Sequence, residues 1–331
     1  MRVLITGGTG NVGRAAVARL VAHGHQVTVI GRRAGLEIEG AEYRQCDILD
    51  FVCLAECVKG IDGIVHLAAI PNPSMGSSEA IFEANCTGTF NVYQAAANAG
   101  IKRVVSASSI NALGFNFGVK SFPLRYFPMD EEHPSTTTDP YSFSKVVMES
   151  VGDYFWRRDG VSSVFLRLPW VYELDEAHAP NVRAYQSAKA YEEILAMPER
   201  QRASVVQGII AQFEQLRARR AFEIAGIWPE LRQLPYGRVM FGRSNFWTSI
   251  DARDSAQAIE KGLLADYEGS HPLYVNDSHN TTGVPTETLV KLFYPEVPLK
   301  RPLVGTETLV SIDAARKLLG FEPEYSLHDQ A

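Results

Sequence analysis

The chain has no apolar run near the ~20 residues that span a bilayer, no excess of positive charge, and little cysteine. Its 331 residues carry 38 Asp and Glu against 32 Lys and Arg, a formal net charge of −6. That balance offers no basic field to nucleic acid or anionic lipid. The four cysteines are Cys46, Cys53, Cys57 and Cys86. They form no C-x-x-C pair, and no histidine cluster accompanies them. Cys53 and Cys57 share a helix face at i,i+4, but two further metal ligands are not in view, so no metal is expected and the thiols read as reduced and structural. The opening MRVLITGG reads as strand and turn and lacks the basic start, apolar stretch and cleavage site of a secretory leader. A cytoplasmic protein is the expectation. Repeats and low-complexity linkers are also missing. What remains is ordinary globular composition, 46% hydrophobic and 21% charged, in a chain long enough for one large domain or two.

Short Val/Ile-rich runs alternate with helical patterns in the first half. Strand-like runs fall at 2–7, 26–31, 42–47, 63–68, 103–109 and 163–168, with helical stretches at 11–23, 79–99 and 141–158. This alternation predicts a parallel sheet covered on both faces, and right-handed crossovers make it an α/β doubly wound fold of Rossmann type. After about residue 173 the pattern changes. Residues 177–232 read as helical, RVMFG (238–242) and NFWTSID (245–251) read as strand-like, and 251–265 as a helix. A dinucleotide-binding domain over 1–173 is expected, with segments around 236–265 returning to it. Residues 174–331 are expected to form mainly a smaller, largely helical substrate-binding part.

LITGGTGNVGRAAV (4–17) is the strongest local signal. A strand runs into Gly7, Gly8, Gly10 and Gly13, and a helix follows. A pyrophosphate must approach backbone closely there, and a helix N-terminus offers it free N–H groups. Gly7, Gly10, Asn11, Val12 and Gly13 are the expected contacts. At the end of the second strand, VIGRR places Arg32 and Arg33 where an acid would hold the ribose of NAD. Two guanidiniums and no carboxylate favour the 2′-phosphate of NADP, with NAD possible. The competing reading of the two arginines is a solvated basic turn.

The ordered motifs TGGTGNVG (6–13), CDILD (46–50), HLAA (66–69), NCTGT (85–89), SASSINALG (106–114) and YSFSK (141–145) resemble those of the extended short-chain dehydrogenases/reductases, the NAD-dependent epimerase/dehydratase family. LRLPWVYE (166–173) and the stretches at 249–259 and 313–327 extend the resemblance over nearly the whole chain. It implies that Asp47 and Ile48 flank the adenine, although Asp47 also reads as a helix N-cap. It implies that Leu67, Ala68 and Ala69 lie against the cofactor's ribose, and that Leu168 and Val171 face the nicotinamide. Asn85 matches a family asparagine near the cofactor, or it is an ordinary buried polar residue. The helix after NCTGT and the YSFSK helix imply a homodimer.

Tyr141 precedes Lys145 by one helical turn. A free tyrosine, with a pKa near ~10, is a poor base at neutral pH. A nearby ammonium favours the phenolate, which predicts a lowered pKa. Lys145 can also reach the nicotinamide ribose. Aligned on its closing glycine, SASSINALG places Ser109 at the family's catalytic serine. A strand-end serine capping backbone is the alternative. The long aromatic and proline-rich segment between Ser109 and Tyr141 is expected to cover the pocket, whose substrate-side candidates are Ile70, Pro71, Ser108, Ser109, Asn111 and Trp170.

Ile110 and Asn111 stand where family dehydratases carry an Asp-Glu pair, which argues against elimination chemistry. Pro169 and Trp247 depart from nucleotide-sugar members. The leading reading is an NAD(P)-dependent oxidoreductase acting on a hydroxyl or carbonyl of a small carbohydrate-like substrate, with Tyr141 as acid/base. The alternative is a sugar or nucleotide-sugar epimerase with tightly bound cofactor. A non-catalytic dinucleotide sensor is a third reading, disfavoured because Ser109, Tyr141 and Lys145 are all present.

Overall fold

In the computed structural model, residues 1–173 and 188–327 are described; the expectations for 177–187 fall outside them. Seven parallel strands form the central sheet in the order β3-β2-β1-β4-β5-β6-β9. They are β1 (Arg2–Thr6), β2 (Gln26–Gly31), β3 (Ala41–Gln45), β4 (Gly63–His66), β5 (Arg103–Ser109), β6 (Ser162–Leu168) and, far along the chain, β9 (Ser270–Tyr274). Successive residues of a strand point to opposite faces. Val3 and Ile5 of β1 join one core with Val17, Leu20, Ile259 and Leu263. Leu4 joins the other with Leu54, Val92, Tyr93 and Phe155. Both faces are covered, which is why the central strands are apolar throughout. Emptying a fully enclosed position such as Leu4 to alanine costs about 2–5 kcal/mol.

The helices of the first half are α1 (Asn11–Ala22), α2 (Phe51–Cys57), α3 (Ser78–Phe82), α4 (Gly88–Asn98) and α5 (Pro140–Asp159). The expected single helix over 79–99 is broken: a π-helical turn, Glu83–Thr87, separates α3 from α4. Helix α5 starts where it does because Asp139 accepts from the Ser142 N–H at 2.8 Å and Pro140 occupies the first turn. It stops at Gly160, whose φ of 64° suits glycine.

Beyond β6, β7 (Trp170–Tyr172) pairs in parallel with β8 (Ser249–Asp251). A helical cap lies between them in sequence: α6 (Lys189–Ala196), α7 (Glu199–Ala218), α8 (Trp228–Arg232) and α9 (Gly237–Ser244). The expected strand RVMFG is part of α9. Val239, Met240, Arg243 and Ser244 are buried at helical spacing, so cap packing overrides the strand propensity of a short apolar run. NFWTSID yields strand only at β8, because Phe246 and Trp247 take positive φ values of 56° and 51° in a turn. Helix α10 (Ala252–Leu264) then returns to pack along α1. The return goes further than expected, since β9 completes the main sheet beside β6. Helices α11 (Thr286–Phe293) and α12 (Asp313–Leu319) follow. Among the described residues no helix is long and apolar enough to cross a membrane.

Candidate active site

The glycine loop joins β1 to α1. Gly7 has φ +73°, and a Cβ there would meet Ala68 N at 2.6 Å. A Cβ on Gly13 would fall 2.3 Å from the Gly7 carbonyl oxygen. Both positions therefore exclude side chains. Among the described residues no side chain caps the α1 N-terminus at Gly10, which leaves its leading N–H groups to an anion. Thr6 Oγ1 accepts from the N–H groups of Leu67 and Ala68 at 3.2 and 3.1 Å. It also bonds His66 Nδ1 at 2.8 Å. Burial holds His66 down at about 3, so that link is neutral. The ends of β1 and β4 are thus tied together, and this cradle fits a dinucleotide.

Arg32 and Arg33 follow β2. Arg33 Nη2 donates to Thr9 Oγ1 at 3.2 Å, beside the glycine loop. Gln45 Nε2 and the Tyr43 hydroxyl donate to the carbonyl oxygens of Arg32 and Arg33 and hold the turn. Asp47 Oδ1 accepts from Leu49 N–H at 3.0 Å. The helix cap is Asp50, which accepts from Cys53 N–H at 3.0 Å, so the N-cap reading belongs there and not to Asp47. Ile48 packs where a Cβ on Gly88 would come within 2.4 Å of its Cδ1.

Asn85 is not placed against the cavity. It is fully buried in the π-helical turn. Its Oδ1 accepts from Ile70 N–H at 2.7 Å, and its Nδ2 donates to Ile70 O at 3.1 Å and Ser144 Oγ at 2.9 Å. In this arrangement it ties the segment after β4 to α5. Ile70 likewise departs from expectation. It packs against the apolar core, outside the cavity wall.

A cavity of ≈ 640 Å³ opens at the carboxyl ends of the strands, where open α/β sheets bind ligands. Asn11, Val12, Leu67, Ala69, Leu168 and Val171, all expected on the cofactor side, line it. Ser108, Ser109, Asn111, Tyr141 and Lys145 line its centre, and Pro71 and Trp170 are also on the wall. Ser109 ends β5, and its Oγ accepts from Asn111 N–H at 3.1 Å, so it also caps the turn that follows. Lys145 Nζ donates to Ala107 O at 3.0 Å and lies 5.6 Å from the Tyr141 ring centroid.

The charge states differ from the sequence expectation. Burial pushes Tyr141 up to about 12, with the Ser109 hydroxyl pulling the other way. Burial likewise brings Lys145 down to about 8, opposed by the Glu149 carboxylate. Without ligand, then, desolvation dominates, with the Asp139 carboxylate adding to it, and Tyr141 is a protonated phenol at neutral pH.

Sequence reasoning missed Glu149 and the cap residues. Glu149 Oε1 accepts from Ser108 Oγ at 2.7 Å, and both its oxygens pair with Arg167. The i, i+4, i+8 ladder of Tyr141, Lys145 and Glu149 was the available signal. The far wall comes from Phe117, Trp228, Arg232, Arg238 and Phe241. Phe117 packs edge-on to Tyr141, with ring centroids 5.8 Å apart, so the segment after Ser109 does reach the pocket. Trp228 Nε1 donates to Ser74 Oγ at 2.8 Å. No local pattern marks these contacts, because they join segments distant in sequence.

A glycine cradle at the head of a doubly wound parallel sheet, open to a cavity at the strand ends, defines a dinucleotide-binding α/β protein. The sequence pattern of the NAD dependent epimerase/dehydratase family matches residues 3–195; the chain belongs to that family, the extended short-chain dehydrogenases/reductases, and is an enzyme. It is 37% identical to an L-arabinose 1-dehydrogenase (NAD(P)(+)) of Haloferax volcanii over 53% of this chain and 69% of that protein. It is 26% identical to a uronate dehydrogenase of Pseudomonas putida over 60% of this chain and 70% of that one. The fold is similar to that of a UDP-glucose 4-epimerase with UDP-glucose from Thermotoga maritima, with TM-score 0.62 and 18% identity over 99% of this chain and 96% of that one.

Proposed function

We propose that the protein is an NAD(P)-dependent oxidoreductase moving hydride to or from a hydroxyl or carbonyl carbon of a small carbohydrate-like substrate. One observation carries this reading: Ser109, Tyr141 and Lys145 share a cavity with Asn11 and Val12 of the glycine loop. The glycine loop would hold the pyrophosphate, and Asp47 and Ile48 the adenine side. The nicotinamide, when bound, supplies or accepts the hydride. Tyr141, a protonated phenol at neutral pH, donates its proton to the substrate's carbonyl oxygen, and takes one back from a hydroxyl in the other direction. Ser109 donates to the same oxygen and orients it. Lys145 supplies the positive charge that stabilises the phenolate after transfer, and its attachment to Ala107 O aims the ammonium. Phe117, Trp228 and Phe241 exclude water and offer ring faces to a sugar. Arg32 and Arg33 favour NADP, a reading supported by the position of Arg33 beside Thr9.

The names of the arabinose and uronate dehydrogenases support net oxidation. The likeness to an epimerase supports the alternative, in which cofactor stays bound. A screen of free sugars, sugar acids and nucleotide sugars, followed by reduced-cofactor absorbance with NAD and with NADP, tests both. Cofactor-dependent turnover that falls ~10²–10⁴-fold in Tyr141→Phe is expected. Isomerisation with no cofactor added overturns the dehydrogenase reading, and unchanged turnover in the variant overturns the role of Tyr141.

We also propose a homodimer through α3, α4 and α5. Phe82 stacks with Phe143 and Phe90 with Tyr154, at centroid distances of 6.2 and 6.3 Å. All four rings are exposed, an apolar patch fitted to a second copy. Sedimentation at twice the monomer mass, reduced to monomer by Phe82→Asp with Phe143→Asp, is the expected result.

A further inference from the structure

The fold gathers three thiols that lie apart in sequence. Cys46 follows β3 directly, and Cys53 and Cys57 stand one turn apart on α2. Their Sγ atoms all lie within 4.8 Å of one another. Cys46 and Cys57 are buried and Cys53 is half-buried, so the triangle has a closed floor and one side open to solvent. The third ligand absent from the i,i+4 spacing of Cys53 and Cys57 is therefore supplied by tertiary structure. We propose that Cys46, Cys53 and Cys57 bind a soft, thiolate-selecting metal ion of the Zn(II)/Cu(I) class.

Distance, ligand chemistry and rigidity all support this site. With metal–sulfur bonds of about 2.3 Å, three sulfurs around one ion stand about 4 Å apart. The observed triangle closes on an ion through small side-chain shifts. A disulfide would instead draw two sulfurs to about 2.05 Å and leave the third unused. The donor set is sulfur only, which selects soft ions over magnesium or calcium. The backbone around it is pinned: Cys46 N–H donates to Gly31 O at 2.9 Å, and Cys53 N–H is held by the Asp50 cap at 3.0 Å. Such preorganisation favours binding. Binding releases the three thiol protons to solvent, and a divalent ion then leaves one net negative charge. The Arg44 guanidinium, paired with Glu42, lies within electrostatic reach of Cys57. None of the three cysteines lines the Tyr141 cavity, so the site stands apart from the proposed chemistry and beside Asp47 and Ile48.

The test uses the full chain, reduced and stripped with chelator, titrated with Co(II) as optical probe and then with Zn(II) in competition. One equivalent of Co(II) with a thiolate charge-transfer band, displaced by Zn(II), is expected. Cys53→Ser, at a half-exposed position that spares the fold, should weaken Zn(II) binding at least tenfold, as should Cys46→Ser and Cys57→Ser. Cys86→Ser, outside the triangle, should change binding less than twofold. Absence of the band, or a band that survives Cys53→Ser unchanged, overturns the proposal. So does a reduced protein that takes up no Zn(II) while a mild disulfide reagent cross-links Cys46 to Cys53 or Cys57, which would make the cluster a redox pair.

Discussion

The floor of the cavity and its cap are built to recognise by opposite means. The floor, from β1 to β6, presents backbone. Gly7 and Gly13 keep side chains away, and Thr6 ties Leu67 and Ala68 into place. The cap presents side chains: Trp228, Phe241 and two arginines, carried on helices that pack through an aromatic core. Backbone recognition is local, so it is written in a short motif. Side-chain recognition from a cap is assembled across distant segments, so the same floor can serve different caps and different substrates.

Breaking the floor should have the largest effect. A side chain at position 13 must displace the Gly7 carbonyl, so Gly13→Val should lower cofactor affinity by at least a hundredfold, read by quenching of tryptophan fluorescence, with far-UV circular dichroism reporting the fold. An effect of comparable size, on stability, comes from the buried cation in the floor. Burial lowers Lys145 from 10.5 to about 8, so between those pH values the unfolded chain binds more protons than the folded one. Its share of stability is complete above pH 10.5 and is lost as pH falls to about 8. Lys145→Met should therefore be the more stable protein at pH 7, by on the order of 3 kcal/mol, and the gap should close towards pH 10.5. Urea titrations of both proteins across that window check it. Equal stability of the two at pH 7 would remove the desolvation argument.

The cap should respond differently. Trp228→Ala takes a ring from the far wall without touching Tyr141, so KM should rise about tenfold with kcat within threefold, and cofactor affinity should hold. Steady-state kinetics on the best substrate separate these quantities. If cofactor affinity fell with KM, the division between floor and cap would fail. The smallest effect is expected at the rim of the floor. Arg33→Ala should reduce the preference for NADP over NAD by about tenfold, while stability stays within ~0.5 kcal/mol because the side chain is exposed. Binding of both cofactors by titration calorimetry decides it.

The same division explains what was legible in the sequence. The first six strands of the sheet and the glycine loop follow from alternation and from residues that must be small. Ser109, Tyr141 and Lys145 follow from ordered motifs, and the structure brings them to one cavity. Where hydrogen-bond capacity decided the outcome, the sequence was silent. Asn85 and Ile70 spend their polar groups on each other, which no spacing reveals. RVMFG reads as a strand alone and becomes helix because Val239 and Met240 meet the cap's core. The pKa of Tyr141 stands above its ordinary value, against expectation, because burial, invisible in sequence, exceeds the opposing pull of the Ser109 hydroxyl.

The edge strand β9 is the last of the sheet's strands in sequence, and so the last of them to leave the ribosome. Strand β6 has β5 on one side, but its other neighbour, β9, begins only at Ser270, after the whole cap has been made. Until then β6 exposes an open hydrogen-bonding edge on an apolar strand, the kind of surface that pairs with other chains. Synthesis halted within the cap thus leaves a chain with an almost complete nucleotide floor and an adhesive border.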